Sequence, residues 1–143
     1  MRRAIITGYE GQDGYYLSKS LKSDGFKVVG LSRMASFFDG RKNSPILLSD
    51  PEAVGRLVMD FQPDYVFHFA AHHHSSDSAL EPLSINLSKS LDIHATSVNN
   101  FLGAMCRWAK KGRFFFASSS RVFGNPHEVP QTEATRYNPY CPY

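Results

Sequence analysis

The sequence has few of the features that mark several protein classes. Only two of its 143 residues are cysteines, Cys106 and Cys141, and their spacing fits no metal site. No apolar run approaches the roughly 20 residues that span a bilayer, and the residues after Met1 form no signal-peptide core. Internal repeats and low-complexity segments are absent as well. We therefore expect a cytoplasmic globular protein with reduced thiols and no membrane partner.

Charge of one sign is not concentrated anywhere in the chain. The formal net charge is +3, and the lysines and arginines are scattered. A nucleic-acid interface needs a basic stripe or patch, so the sequence predicts no nucleic-acid partner. The hydrophobic fraction of 42% and the chain length are typical of one domain with its own core.

What the sequence does contain is a glycine-rich stretch at residues 7–14. It follows the apolar residues 4–6, precedes a segment of helical character, and carries glycines at positions 8, 11 and 14. Strand, glycine turn and helix together can bind a pyrophosphate, because glycine lets the backbone approach the phosphates and the helix N-terminus offers free N–H groups. The stretch therefore predicts a dinucleotide site.

Short apolar segments alternate with helical patterns along the rest of the chain. We predict strands at residues 4–7, 26–31, 46–48, 65–71 and 113–118. We predict helices at residues 15–23, 51–61 and about 90–110, with Asp50 as the N-cap of the second, and loops at residues 32–44 and 72–87. This order predicts an α/β fold, a Rossmann-type doubly wound parallel sheet with helices on both faces and a ligand crevice at the carboxyl ends of the strands. Because nothing after residue 118 closes a domain, we also expect a longer protein.

The pattern Thr7-Gly8-x-x-Gly11-x-x-Gly14 resembles the cofactor fingerprint of the extended short-chain dehydrogenases/reductases. Residues 6–17, 30–36, 116–124 and 138–143 are most similar to the GDP-mannose 4,6-dehydratases within that superfamily. The resemblance implies that residues 1–143 are the N-terminal NAD(P)-binding Rossmann portion of an enzyme that modifies a nucleotide sugar, with the substrate-binding part outside this sequence.

The resemblance also implies the cofactor contacts. The residues expected to surround the pyrophosphate are Gly8, Tyr9, Glu10, Gly11, Gln12, Asp13 and Gly14. Asp50 is expected to accept a hydrogen bond from the adenine amino group. Phe69, Ala70 and Ala71 are expected to line the floor beside the cofactor ribose.

The catalytic pair implied by the resemblance is Ser119 and Tyr143, with a hydride passing between a sugar carbon, C4, and the nicotinamide. Ser119 would hydrogen-bond the substrate oxygen, and Tyr143, which would also contact the cofactor, would move the hydroxyl proton. The interval of 24 residues between them matches the family. We expect His74, Ser120 and Arg121 to contact the substrate, and we expect no metal site, since no cysteine or acid cluster accompanies the histidines at positions 72–74.

The residues after the second predicted strand bear on the choice of cofactor. A carboxylate there would bind the ribose diol of NAD and repel a 2′-phosphate. Here Arg33 and Ser36 follow the strand, and the first acid is Asp39. Because a guanidinium binds phosphate well, we predict NADP rather than NAD.

Arg121 departs from the dehydratase pattern, which has a glutamate there as the base for the proton next to the carbonyl. A guanidinium stays protonated in proteins and cannot act as that base. Three functions therefore stay open: a GDP-mannose 4,6-dehydratase-like enzyme, a nucleotide-sugar 4-reductase or epimerase, and a non-catalytic dinucleotide-binding module. In each enzymatic case we expect a GDP-sugar substrate and a homodimer or higher homo-oligomer.

Overall fold

The computed structural model describes residues 1–72 and 83–140. Its strands are β1 (Arg3–Thr7), β2 (Lys27–Leu31), β3 (Ser36–Phe38), β4 (Arg41–Asn43), β5 (Tyr65–His68) and β6 (Arg113–Phe116). Its helices are α1 (Gln12–Ser23), α2 (Pro51–Phe61), α3 (Leu83–Leu91) and α4 (Ser97–Trp108). A π-helical turn (Asp92–Thr96) joins α3 to α4, and a 3-10 turn (Ser120–Phe123) follows β6.

The described strands form one sheet in the order β4-β3-β2-β1-β5-β6. Strands β2, β1, β5 and β6 are parallel to one another, whereas β3 and β4 form an antiparallel hairpin at the edge beside β2. From β1 the chain passes to β2 on one side, and later to β5 and β6 on the other. This reversal of direction at β1 is the point where open α/β sheets leave a crevice outside the carboxyl ends of their strands.

Strands β1 and β2 are buried on both faces against helices, as the doubly wound prediction requires. Within β1, Ile5 joins the core shared with α2 and α4, whereas Ala4 and Ile6 join the core shared with α1. Val29 and Val28 of β2 divide between the two cores in the same way. Successive strand residues point to opposite faces, so a nearly continuous apolar run is what a strand buried on both faces requires.

The prediction of a strand at residues 46–48 is wrong, and the loop predicted at residues 32–44 contains the hairpin of β3 and β4. The edge of the sheet beside β2 is taken by β3. Leu48 instead packs between α2 and α4, and its carbonyl accepts a hydrogen bond from the Asn100 side chain at 3.0 Å. The turn of the hairpin is Asp39-Gly40, with φ values of 48° and 80°. Asp-Gly is a recognised hairpin turn, but the polar residues of β4 that follow it lack the alternating apolar pattern of a strand.

Other boundaries also differ from the prediction. Helix α1 begins at Gln12 rather than residue 15, and α3 begins at Leu83, inside the predicted loop at residues 72–87. Strands β5 and β6 end at His68 and Phe116, two or three residues early. The N-cap prediction for α2 is confirmed, since the Asp50 side chain accepts hydrogen bonds from the first amides of that helix.

Part of the sheet surface on the α1 side is aromatic and open. Phe67, Phe69 and Phe115 form mutual ring contacts there, and Phe115 is 52% exposed. Among the described helices only α1 packs on this side, and it covers β1 and β2. No helix in the described ranges is long and apolar enough to cross a membrane.

Candidate functional site

Each of the three glycines after β1 has a different structural reason to be glycine. Gly8 has a φ of +67°, and a Cβ there would lie 2.9 Å from the carbonyl carbon and oxygen of Phe69. A Cβ on Gly14, which is buried, would overlap the Gly8 carbonyl oxygen. Gly11 is exposed, and its Cβ would meet only the Gly8 oxygen at 3.1 Å. Gly8 therefore allows the turn to pack against the chain at the end of β5, and Gly14 allows helix α1 to pack against the turn. Gly11 leaves the loop open to solvent.

The amino end of α1 faces the same open space. Gly11 is the N-cap residue and provides no side-chain cap for the first amides of the helix. Glu10, Gln12 and Asp13 are exposed around it. An uncapped helix start beside an open glycine turn offers backbone N–H donors and a partial positive charge, which is the chemistry that a pyrophosphate needs. The residues present therefore fit a dinucleotide.

The side chain of Tyr9 turns away from this opening. Its ring lies over Gly30 and against the ring of Phe37, with 5.0 Å between the centroids, and its hydroxyl accepts a hydrogen bond from Lys22 at 2.9 Å. Tyr9 thus supports the base of the loop, and only its backbone is left for a cofactor.

At the carboxyl end of β2, Arg33 is exposed and makes no ion pair with any carboxylate in the described part of the chain. Asp39 pairs with Lys27 at 3.1 Å, at the opposite end of β2. Ser36 is 1% exposed and donates its hydroxyl to the Ser44 carbonyl, so its side chain does not reach the surface that we expected it to form. Arg33 and the neighbouring Ser32 are what this end of the strand presents.

Asp50 has one carboxylate oxygen in use. Its Oδ1 accepts hydrogen bonds from the amides of Glu52 and Ala53, at 2.9 and 3.2 Å. Oδ2 has no recorded donor among the residues that the structure describes, and the residue is only half-buried. Capping of α2 and a contact to an adenine amino group are therefore compatible.

Sequence reasoning missed a buried polar cluster behind the loop that follows β5. Thr7 Oγ1 accepts the amide hydrogen of Ala70 at 3.0 Å and lies 3.0 Å from His68 Nδ1. On the other side of the ring, His68 Nε2 lies 3.2 Å from both the Ile93 carbonyl oxygen and the Ser97 hydroxyl. The available signal was a histidine inside an otherwise apolar strand.

Burial lowers the pKa of the His68 ring below its usual value of 6.5, more than its hydrogen bond to the Ile93 carbonyl raises it. Burial also lowers the pKa of His94, more than its hydrogen bond to the His72 backbone raises it. His94 Nε2 accepts the amide hydrogen of His72 at 3.2 Å. In the described part of the chain, no three histidine, cysteine or acidic residues lie together as metal ligands would.

At the carboxyl end of β6, Ser119 is half-buried and caps the 3-10 turn by accepting the Arg121 amide hydrogen at 3.2 Å. Its own hydroxyl hydrogen remains available to a ligand. Ser120 and Arg121 are exposed beside it. Two residues before Ser119, the Ala117 amide donates to the His68 carbonyl, which places this strand end next to the end of β5. The predicted residues His74 and Tyr143 lie outside the described ranges.

Comparison with known proteins places these features in a family. The family model described as GDP-mannose 4,6 dehydratase matches residues 5–143. GDP-mannose 4,6 dehydratase 2 of Caenorhabditis elegans is 30% identical over 161 residues, covering 98% of this chain and 41% of that protein. GDP-mannose 4,6-dehydratase of Yersinia enterocolitica is 31% identical over 161 residues, covering all of this chain and 42% of that protein.

Among solved structures, the Bordetella bronchiseptica enzyme WbmH in complex with NAD+ superposes with a TM-score of 0.77 at 27% identity. The match covers 97% of this chain and 46% of WbmH. This chain therefore spans about two fifths of the length of the curated relatives that it matches.

Proposed function

The chain belongs to the GDP-mannose 4,6-dehydratase family, and from that membership we propose that it is the cofactor-binding portion of an NADP-dependent enzyme acting on a nucleotide sugar. The observation that carries the proposal is the glycine turn at the start of α1, which is open at Gly11 and closed against β5 at Gly8. A bound dinucleotide would supply a hydride acceptor and donor there. The other roles belong to side chains and amides of this chain.

NADP is the proposed cofactor because of the charges at the end of β2. Arg33 is exposed there without a carboxylate partner on the described chain, and Asp39 is paired at the far end of the strand. A guanidinium attracts a 2′-phosphate, and the missing carboxylate removes the usual partner of a free ribose diol. NAD is the second candidate, since the solved relative WbmH contains NAD+.

The remaining cofactor contacts follow the shape of the crevice. The amides of residues 11–14 would bind the pyrophosphate, and Oδ2 of Asp50 would accept from the adenine amino group. Phe69, Ala70 and Ala71 would lie beneath the ribose, because the chain there touches the glycine turn.

Ser119 and Tyr143 are the proposed acid-base pair at the sugar C4. The Ser119 hydroxyl would donate to the substrate oxygen, because its oxygen accepts the Arg121 amide hydrogen and its own hydrogen has no acceptor among the residues that the structure describes. Tyr143 would exchange the hydroxyl proton with the same oxygen. His74 and Ser120 would contact the sugar or its phosphates, and the GDP moiety is proposed from the names of the relatives.

Reduction or epimerisation at C4 is the second candidate reaction, and Arg121 favours it. A dehydratase needs a base for the proton beside the C4 carbonyl, and the family's glutamate position holds an arginine here. A guanidinium cannot take that proton, but it can bind an anionic substrate group.

Product analysis tests the choice of reaction. The full-length protein is incubated with NADP and GDP-mannose, and the sugar is identified by mass spectrometry and NMR. A 4-keto-6-deoxy sugar would establish dehydration and contradict the reading of Arg121. A C4 epimer would support the second candidate, as would reduction of a 4-keto nucleotide sugar in a parallel incubation with NADPH. A protein that binds NADP without converting any of a panel of nucleotide sugars, and lacks the lysine that the Tyr-x-x-x-Lys motif of the short-chain dehydrogenases/reductases would place four residues after Tyr143, would be the non-catalytic module.

Self-association is part of the same proposal. Helix α4 carries the exposed apolar side chains of Leu102 and Trp108, 44% and 38% accessible. Pairing of this helix with its copy in a homodimer would cover them. Light scattering of the wild type and of Leu102→Glu tests this pairing, which a monomeric wild type would contradict. A cytoplasmic location is also proposed, and cell fractionation tests it.

A further inference from the structure

We propose that His68 and Thr7 are positioning residues that hold the loop after β5 in the shape a dinucleotide needs, with the π-helical turn as their anchor. The proposal rests on the proposed function, because the loop consists of the residues assigned to the cofactor floor. Neither residue reaches the crevice, since Thr7 and His68 are both fully buried. They act through the backbone of Ala70.

The Ile93 carbonyl can only accept hydrogen bonds, and it therefore determines the hydrogen-bond directions in this cluster. The Ile93 carbonyl oxygen lies 3.2 Å from His68 Nε2, so the hydrogen of the neutral ring is on Nε2. Nδ1 is then an acceptor and receives the hydroxyl hydrogen of Thr7. The Thr7 oxygen in turn accepts from the Ala70 amide. This gives a single directed chain from Ala70 through Thr7 and His68 to Ile93.

The π-helical turn makes the Ile93 carbonyl available. In a regular α-helix this oxygen would accept the amide hydrogen of Ser97, four residues on. Here the Ser97 amide donates to Asp92 instead, five residues back. The Ile93 oxygen is left to accept from the His68 ring and from the Ser97 hydroxyl. The irregular turn therefore creates the acceptor on which His68 depends.

The same turn holds the far end of the loop. His94, the residue after Ile93, accepts the amide hydrogen of His72. Residues 69–71 are thus fixed at one end through the His68 ring and at the other through the His72 backbone. The loop also packs directly against the glycine turn, since a Cβ on Gly8 would lie 2.9 Å from the Phe69 carbonyl.

Among the residues that the structure describes, aromatic rings surround the imidazole of His68, and the titratable ring of His94 acts on it. The aromatic neighbours of His68 are Phe101 of α4 and Phe114 and Phe116 of β6. In so apolar a site an unmatched polar atom is costly, which is why each end of the ring must keep its partner. The cluster thus specifies one position of the loop rather than adding a charge to the site.

Two matched pairs of variants test the proposal in the full-length protein. Thr7→Ser keeps the hydroxyl, whereas Thr7→Val keeps the shape without it. His68→Asn can place an acceptor where Nδ1 lies, whereas His68→Gln can place a donor where Nε2 lies but cannot reach Thr7. We expect Thr7→Val and His68→Gln to raise the Kd for NADPH about tenfold, the effect of one lost buried hydrogen bond. We expect Thr7→Ser to stay within about threefold of the wild type. His68→Asn keeps an acceptor for Thr7 but loses the ring donor to Ile93, whose carbonyl still accepts from the Ser97 hydroxyl, so it should raise the Kd less than His68→Gln does.

A double-mutant cycle separates positioning from a general loss of stability. Because both variants break the same chain, Thr7→Val in the His68→Gln background should add little further loss of NADPH affinity. In an active enzyme the KM for the cofactor should rise more than kcat falls. Equal Kd values for Thr7→Val and Thr7→Ser, or additive losses in the cycle, would overturn the proposal.

Hydrogen exchange at the Ala70 amide keeps the test independent of cofactor binding. Thr7→Val should exchange this amide faster than Thr7→Ser by about tenfold. If the wild type binds neither dinucleotide, the proposed function fails, while the Ala70 amide still decides whether the network holds the loop. Identical exchange in the two variants would overturn the inference whatever the cofactor result.

Discussion

At the scale of single residues, the glycines of the turn are determined by contact rather than by flexibility alone. Gly8 has a left-handed φ and no room for a Cβ beside Phe69, whereas Gly55 in α2 has open space around it. Both are glycines in the sequence, but only the first is required by its surroundings.

Gly8→Ala should therefore lower stability and weaken NADPH binding strongly. Gly55→Ala should be neutral or should stabilise by about 0.5–1 kcal/mol, because alanine favours the helix. Urea unfolding followed by NADPH titration measures both. If the two substitutions had equal effects, the close packing of the turn on β5 would be refuted.

The buried imidazole of His68 makes a prediction about pH. Its pKa is lowered in the folded state, mainly by burial, while in the unfolded chain it keeps its usual value of 6.5. Below pH 6.5 the unfolded state binds a proton that the folded state does not bind, so the free energy of unfolding should fall as the pH drops. Above pH 6.5 the His68 contribution to stability should be fully present. The slope is at most about 1.4 kcal/mol per pH unit for this group.

His68→Asn removes the titrating group and keeps the acceptor for Thr7. Urea unfolding between pH 5 and pH 7.5 should show a shallower loss of stability in this variant than in the wild type. The same slope in both proteins would mean that His68 is not the group responsible.

At the scale of elements, the sequence predicted helix α2 well because its start signal is local. Asp50, Pro51 and the first amides form a self-contained cap. The sequence did not predict β3 and β4, because an edge strand depends on which other segments compete for the edge. Nor did it predict the π-helical turn, whose Ile93 carbonyl is bonded to a histidine 25 residues earlier. Features fixed by neighbouring residues, such as the helix cap, could be predicted from the sequence. Contacts between segments far apart in the chain could not.

Asp50 has two proposed duties that one substitution separates. Asp50→Asn can still cap α2 through its amide oxygen, so stability should stay close to that of the wild type, whereas Asp50→Ala should lose about 1 kcal/mol. The amide nitrogen of asparagine can no longer accept from adenine, so Asp50→Asn should still weaken NADPH binding. Retained affinity in a stable Asp50→Asn protein would leave Asp50 as a helix cap alone.

At the scale of the whole molecule, the open aromatic surface of Phe67, Phe69 and Phe115 is unusual for a protein surface. Three contacting rings on an otherwise buried sheet exceed the scattered apolar exposure of ordinary surfaces. The sequence predicted the apolar strands and the fold. It did not predict which sheet face would stay open, because that depends on which helices cover the face and not on the hydrophobic pattern of the strands.

A protein of these 143 residues should accordingly bind the dye ANS while folded. Phe115→Gln should reduce the fluorescence, whereas Leu47→Gln, at a 68% exposed site in the segment before α2, should not. Equal reduction by both would show that the dye does not report on this surface.

The most direct test of the central claim is a titration of the full-length protein with NADPH and with NADH, followed by fluorescence. The claim predicts that NADPH binds at least about tenfold more tightly, the contribution of one charge-assisted contact to the 2′-phosphate. Arg33→Ala should abolish this preference, whereas Arg41→Ala, an exposed arginine in the hairpin strand β4, should keep it. Equal affinity for the two cofactors in the wild type would contradict the claim.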